Sequence, residues 1–172
     1  MIRKILPPVG SRLQHELASA YFYDSYEVQV DTCGKTALEI YIDTVGRTPA
    51  LMNFLMTTRN RIVSLFGLKN LGLFADLDGS RSASSYNVGD RVGIFSILSL
   101  SDEEVVLHDD DKHLQAKVSV YKYSDEEHRA AVTTVVHVKN LLGKAYLFFV
   151  VPAHKLIVPL MLREISTDKR NV

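Results

Sequence analysis

Residues 129–162 read RAAVTTVVHVKNLLGKAYLFFVVPAHKLIVPLML. Two kinds of segment meet here. Residues 129–138 are rich in Val and Thr, which suit a pleated, half-buried surface, and they predict a strand. From residue 141 to about 165 the chain is long and mostly apolar, and it predicts one closing helix. Upstream, residues 91–100, 103–108 and 114–123 are further strand-like runs. Their links are short and polar: Ser101-Asp102, Asp109-Asp110-Asp111 and the stretch at 124–127. Short links between successive strands mean antiparallel hairpins, because parallel pairs need long crossovers. Leu114, Ala116, Val118 and Val120 point to one side and His113, Gln115, Lys117 and Ser119 to the other. One face of this meander must be covered, and the final helix is the element long and apolar enough to cover it.

Towards the N-terminus the period changes again. Tyr26-Glu27-Val28-Gln29-Val30-Asp31 alternates and predicts a strand. Thr36-Ala37-Leu38-Glu39 fits a capping box, which starts a helix that runs to about Val45 and stops at Gly46. Thr48-Pro49 predicts a second helix, with Leu51, Met52, Leu55, Ile62, Val63 and Phe66 at helical spacing and Gly67 as its C-cap. Residues 68–89 are rich in Gly, Ser, Asn and Asp and read mainly as a long loop. Residues 1–24 read as an irregular arm with a short helix through 13–21, residues 25–165 as the core, and residues 166–172 as a frayed charged tail. The expectation is a single α+β domain over residues 1–172. Its order is strand, two helices, antiparallel meander and long helix, as in the helix-grip fold, also called START-like or Bet v 1-like. Such folds hold apolar ligands between a curved sheet and the C-terminal helix.

Composition narrows the function classes. The chain has 172 residues, 20 Lys plus Arg against 20 Asp plus Glu, and is 47% hydrophobic. A zero formal charge argues against nucleic acid, whose phosphates require a basic surface, and leaves self-association open. Cys33 is the only cysteine, so the chain has no internal disulfide and no cysteine-based zinc site. No apolar run near the N-terminus is long enough for a signal peptide, and a cytoplasmic location is expected. Residues 145–162 approach the length of a bilayer span. His154 and Lys155 near the middle, with Pro152 and Pro159, predict a buried or half-buried helix instead.

Three motifs invite chemistry. Leu73-Phe74-Ala75-Asp76-Leu77-Asp78-Gly79-Ser80 looks like the first motif of haloacid-dehalogenase-like phosphatases, but it precedes antiparallel hairpins instead of ending a parallel strand, and a loop turn explains it better. His108-Asp109-Asp110-Asp111-Lys112-His113 holds five metal-capable side chains at a hairpin tip, with spacing that matches no standard site, so no metal is expected. His137, His154, Tyr121 and Tyr146 approach one another if the final helix covers the last strands. The predicted ligand-binding set is Phe95, Tyr121, Thr134, His137, Tyr146, Val150 and His154. Catalytic residues are not assigned, and His137 or His154 is the best candidate for proton transfer. The sequence shows no Gly-x-Ser-x-Gly elbow, phosphate-binding glycine loop or dinucleotide fingerprint, and no cofactor is expected.

Four stretches carry a family resemblance: Arg59-Asn60-Arg61-Ile62-Val63 with Phe66-Gly67-Leu68-Lys69; Asp110-Asp111-Lys112-His113-Leu114; Val132-Thr133-Thr134-Val135-Val136-His137; and Asn140-Leu141-Leu142-Gly143-Lys144-Ala145-Tyr146 running into Pro152-Ala153-His154-Lys155-Leu156-Ile157-Val158. Together they resemble the bacterial domain-of-unknown-function family 2867, over roughly residues 25–165. The resemblance implies the START-like superfamily and members that stand alone or follow a nucleotide-sugar-epimerase-like reductase domain. It brings no catalytic residues. The expected function is binding of a small hydrophobic or amphipathic molecule between sheet and helix. The alternatives are a cyclase- or hydrolase-like enzyme in the same pocket, or a homodimeric or reductase-linked interaction domain.

Overall fold

The computed structural model describes residues 2–47, 81–124 and 128–166. The strands are β1 (Ile2–Lys4), β2 (Phe22–Gln29), β3 (Arg91–Val92), β4 (Phe95–Leu100), β5 (Glu104–Asp110), β6 (Leu114–Lys122) and β7 (Arg129–Val138). They form one seven-stranded sheet in the order β1-β2-β7-β6-β5-β4-β3, and every neighbouring pair is antiparallel. Among the described residues the α-helices are α1 (Ala37–Gly46) and α2 (Leu141–Ile165). The architecture is therefore α+β, with a C-terminal helix on an antiparallel sheet.

Local chemistry explains most boundaries. The Thr36 hydroxyl accepts from the Glu39 N–H, and the Glu39 carboxylate accepts from the Thr36 N–H, so the capping box opens α1 as expected. Asn140 caps α2 by accepting from the Gly143 N–H at 3.1 Å. The run at 91–100 is two strands, not one. Gly93 has φ +61°, a conformation other residues rarely adopt, and the chain folds back there so that Val92 pairs with Phe95.

The N-terminal arm is more ordered than the sequence suggests. Ile2–Lys4 adds a strand to the sheet, and β2 begins at Phe22 instead of residue 26. Between them a 3-10 strap, Arg12–Ser19, lies across the sheet face opposite the helices. Leu13 of the strap is buried with Val106 of β5 and Val135 of β7. Strand alternation sends the neighbours of those residues to the other face, where Val105, Leu107, Val120 and Ala130 pack with α1 residues Leu38, Ile40 and Tyr41 and with Leu162 and Ile165 of α2.

Helix α2 meets the sheet at two apolar patches. Near its start Leu147 is buried with Leu114 and Val136, joined by Val151 and Phe22. Near its end Leu162 and Ile165 enter the main core. Both prolines lie inside the helix, so the carbonyls of Phe148 and Lys155 lose their usual partners four residues on. The apolar pattern of this helix points to Leu147, Val150, Val151, Leu156 and Met161 as its main core contacts, and the structure corrects that in part. Leu147 and Met161 are buried and Val150 and Val151 half-buried, but Leu156 is 66% exposed. It projects from the helix side that also carries Phe148, 76% exposed, and Phe149, 75% exposed. Among the described residues α2 is the one helix long and apolar enough to cross a membrane by length and composition. The predicted second helix, the Leu73–Ser80 motif and residues 167–172 lie outside the described residues.

Candidate functional site

Between the two patches of α2 sits a polar link. His154 Nε2 lies 3.1 Å from Asp24 Oδ1, joining the helix to the middle of β2. The Asp24 side chain is 1% exposed, whereas that of His154 keeps 21% exposure, so the seam between helix and sheet meets solvent at the imidazole. Asp24 Oδ2 is buried and has no well-formed hydrogen bond among the described residues, although the Tyr26 phenol stands beside the carboxylate. A buried carboxylate oxygen left unpaired is costly, and native structures seldom retain one without a reason.

Alternation places Phe22, Asp24, Tyr26 and Val28 on the helix side of β2. Thr134 stands directly opposite Asp24 on β7 and is buried too. The Phe22 ring meets the His154 ring edge-on, with centroids 5.6 Å apart. Burial, with the negative charge and acceptor oxygens of Asp24 close by, pushes the Tyr26 phenol above its ordinary value. With its Nε2–H donated to Asp24, a neutral His154 keeps Nδ1 as an acceptor. The seam therefore offers a buried acceptor, a half-exposed imidazole, a phenol and a hydroxyl between apolar walls.

The structure divides the predicted residues. Thr134 and His154 belong to this seam. Tyr146 packs beside the Leu147 patch, and Val150 is half-buried on α2. Phe95 packs on the main core from β4, four strand steps from β2, or about 19 Å along the sheet. Tyr121 and His137 lie on the opposite face. The His137 ring nitrogens face the Ser19 carbonyl at 3.3 Å and Glu16 Oε2 at 3.1 Å, both on the strap. Tyr121 comes so close to Gly10 that a Cβ there would lie 2.7 Å from its hydroxyl. The four residues expected to converge are thus split by the sheet. The physical reason is parity: side chains one residue apart on a strand point to opposite faces.

The strap face shows what a satisfied carboxylate looks like. Glu104, buried on β5, accepts from Ser11 Oγ at 2.7 Å, Ser119 Oγ at 2.6 Å and the Arg12 N–H. Glu16 accepts from Lys117 at 2.7 Å and pairs with His137. Burial pushes its carboxyl up, but the hydrogen bonds and charges of Lys117 and His137 outweigh that and hold it below its ordinary value. At the β5–β6 tip, Asp111 accepts from the His113 and Leu114 N–H groups, an ordinary role for an acidic turn residue. Asp110 pairs with Lys139. Among the described residues no cluster of His, Cys, Asp and Glu could hold a metal ion.

A family model described as Protein of unknown function (DUF2867) matches residues 17–161. The chain belongs to the DUF2867 family. The matched span reaches from the strap to the last turns of α2, so it includes both Asp24 and His154. Comparison with curated proteins and with solved structures returns no significant match. For this DUF2867 chain the sequence reading missed Asp24 and Tyr26. The signal that would have found them is an acidic residue on the otherwise apolar side of Phe22-x-Asp24-x-Tyr26-x-Val28.

Proposed function

We propose that this DUF2867 domain has a helix-grip, START-like fold and binds a small amphipathic molecule in the seam between the sheet and α2. The observation that carries the reading is Asp24: a buried carboxylate oxygen with no well-formed hydrogen bond among the described residues, set between two apolar patches and beside a partly exposed histidine. Ligand sites are mostly apolar, with a few placed polar groups that fix orientation. The apolar part of the molecule would lie along Phe22, Val136 and Val151, and its polar end would meet Asp24 and His154. Native mass spectrometry after gentle purification, with displacement of an apolar dye by fatty acids and aromatic compounds, tests the reading. A bound small molecule, or dye displaced by one of these classes, is expected. A protein that carries nothing and releases no dye to any of them overturns the proposal.

The Asp24–His154 pair also favours a second reading, proton transfer on the bound molecule. An aspartate that holds one imidazole nitrogen fixes the tautomer and leaves the other as a base. His137, the other candidate, is engaged by the strap on the far face. If this reading holds, His154→Gln abolishes turnover of a bound compound while binding persists. Turnover unchanged in that variant removes the reading.

A further inference from the structure

We infer that the polar end of the ligand is a protonated primary or secondary amine, received by Asp24 Oδ2. This rests on the binding reading above and names the ligand class. A carboxylate only accepts hydrogen bonds, so the missing partner must be a donor. Donor charge is decided by what already faces Asp24. Phe22 flanks it on β2 with Tyr26, whose phenol is a neutral donor held close to the carboxylate; Thr134 stands across on β7, and His154 reaches it from α2. Among the described residues neither a lysine nor an arginine pairs with Asp24. The nearby Lys155 ammonium lies 5.8 Å from the centroid of the Phe22 ring and belongs to the exposed part of the helix. Glu104, Glu16, Glu27 and Asp110 each have a lysine or arginine partner, whereas Asp24 has only the imidazole of His154. An ammonium at Oδ2 would supply both the donor and the charge, and charge-assisted bonds of this kind are the stronger class. The aromatic ring of Phe22 and the phenol of Tyr26 suit a cation as neighbours. A quaternary ammonium has no N–H to give, so the site should prefer an amine over it.

The test uses the full chain and four probes with the same alkyl tail, each below its micellar concentration: dodecylamine, dodecyltrimethylammonium, dodecanol and dodecanoate. Isothermal titration reads each affinity. Dodecylamine should bind at least about tenfold more tightly than the other three, the worth of one charged hydrogen bond. Asp24→Asn should remove that preference, so that dodecylamine binds no more tightly than dodecanol. If this variant fails to fold, the comparison of the four probes on the unaltered chain still decides. Equal binding of all four overturns the amine assignment and leaves the binding reading standing. If none binds, the binding reading fails and the assignment falls with it.

Discussion

Glu16 is a residue whose ionisation ties the strap to the sheet, and its chemistry sets a pH dependence. Its folded carboxyl titrates below the ordinary value of 4.5, so its charge contributes stability that is complete above that value and is lost as pH falls through the lower, folded value. Urea unfolding of the unaltered chain and of Glu16→Gln should differ at neutral pH and converge as pH drops below 4.5. A constant difference would mean that Glu16 acts by packing alone. Gly143 makes a second prediction at this scale. A Cβ built there lies 2.4 Å from the His113 carbonyl oxygen, a backbone atom that cannot swing aside. Gly143→Ala should therefore destabilise the fold by about 1–3 kcal/mol, measured by chemical denaturation. Histidine identity at 137 and 154 was plain in the sequence, but their roles were not, because chemistry at one position depends on what a distant element brings to it. His154 matters through Asp24, 130 positions away. A finer use of alternation would have separated Thr134 from His137, which are three positions apart on β7 and so cannot share a face.

Among the elements, the meander and α2 were the most legible. The expected spans 114–123 and 129–138 match β6 and β7 to within a residue, and α2 runs over the expected range. Periodicity settles such segments because one whole face is buried. The expected short helix at 13–21 is present as the 3-10 segment Arg12–Ser19, but its docking on the sheet and the strand β1 were not legible. A 3-10 segment has only a few anchors, here Leu13, Glu16 and the Ser11 and Arg12 bonds to Glu104, and the polar partners lie 92 to 121 positions away. Nor does the apolar composition of α2 say which way it is turned. A substitution pair tests its orientation. Leu162→Ala removes a fully buried side chain and should cost about 2–5 kcal/mol. Phe148→Ala, on the exposed side, should change stability by no more than about 0.5 kcal/mol. Comparable losses at both positions, by thermal or urea unfolding, would show that the outward side is covered.

For the molecule as a whole, the sheet order places β7 and β6 at the centre of the four-strand block β2-β7-β6-β5, while β1 and β3 form the edges. Central strands with a neighbour on each side and apolar cover should open only with global unfolding. Amide hydrogen exchange should therefore be slowest in β6 and β7 and fast in β1 and β3; slowest protection in α2 would contradict this. The same order has a consequence for how the chain is made. β2 pairs with no strand until β7 exists, apart from the short β1, and the Ser25–Thr133 hydroxyl contact spans 108 positions. At roughly 5–20 residues per second, translation leaves β2 waiting on the order of 5–20 s for that partner. Asp24 waits longer, because His154 is made after β7. A nascent chain therefore carries an alternating, unpaired strand through most of its synthesis. Asp24 and Glu27 both lie on that strand, and charged side chains on an unpaired strand disfavour its pairing with other chains.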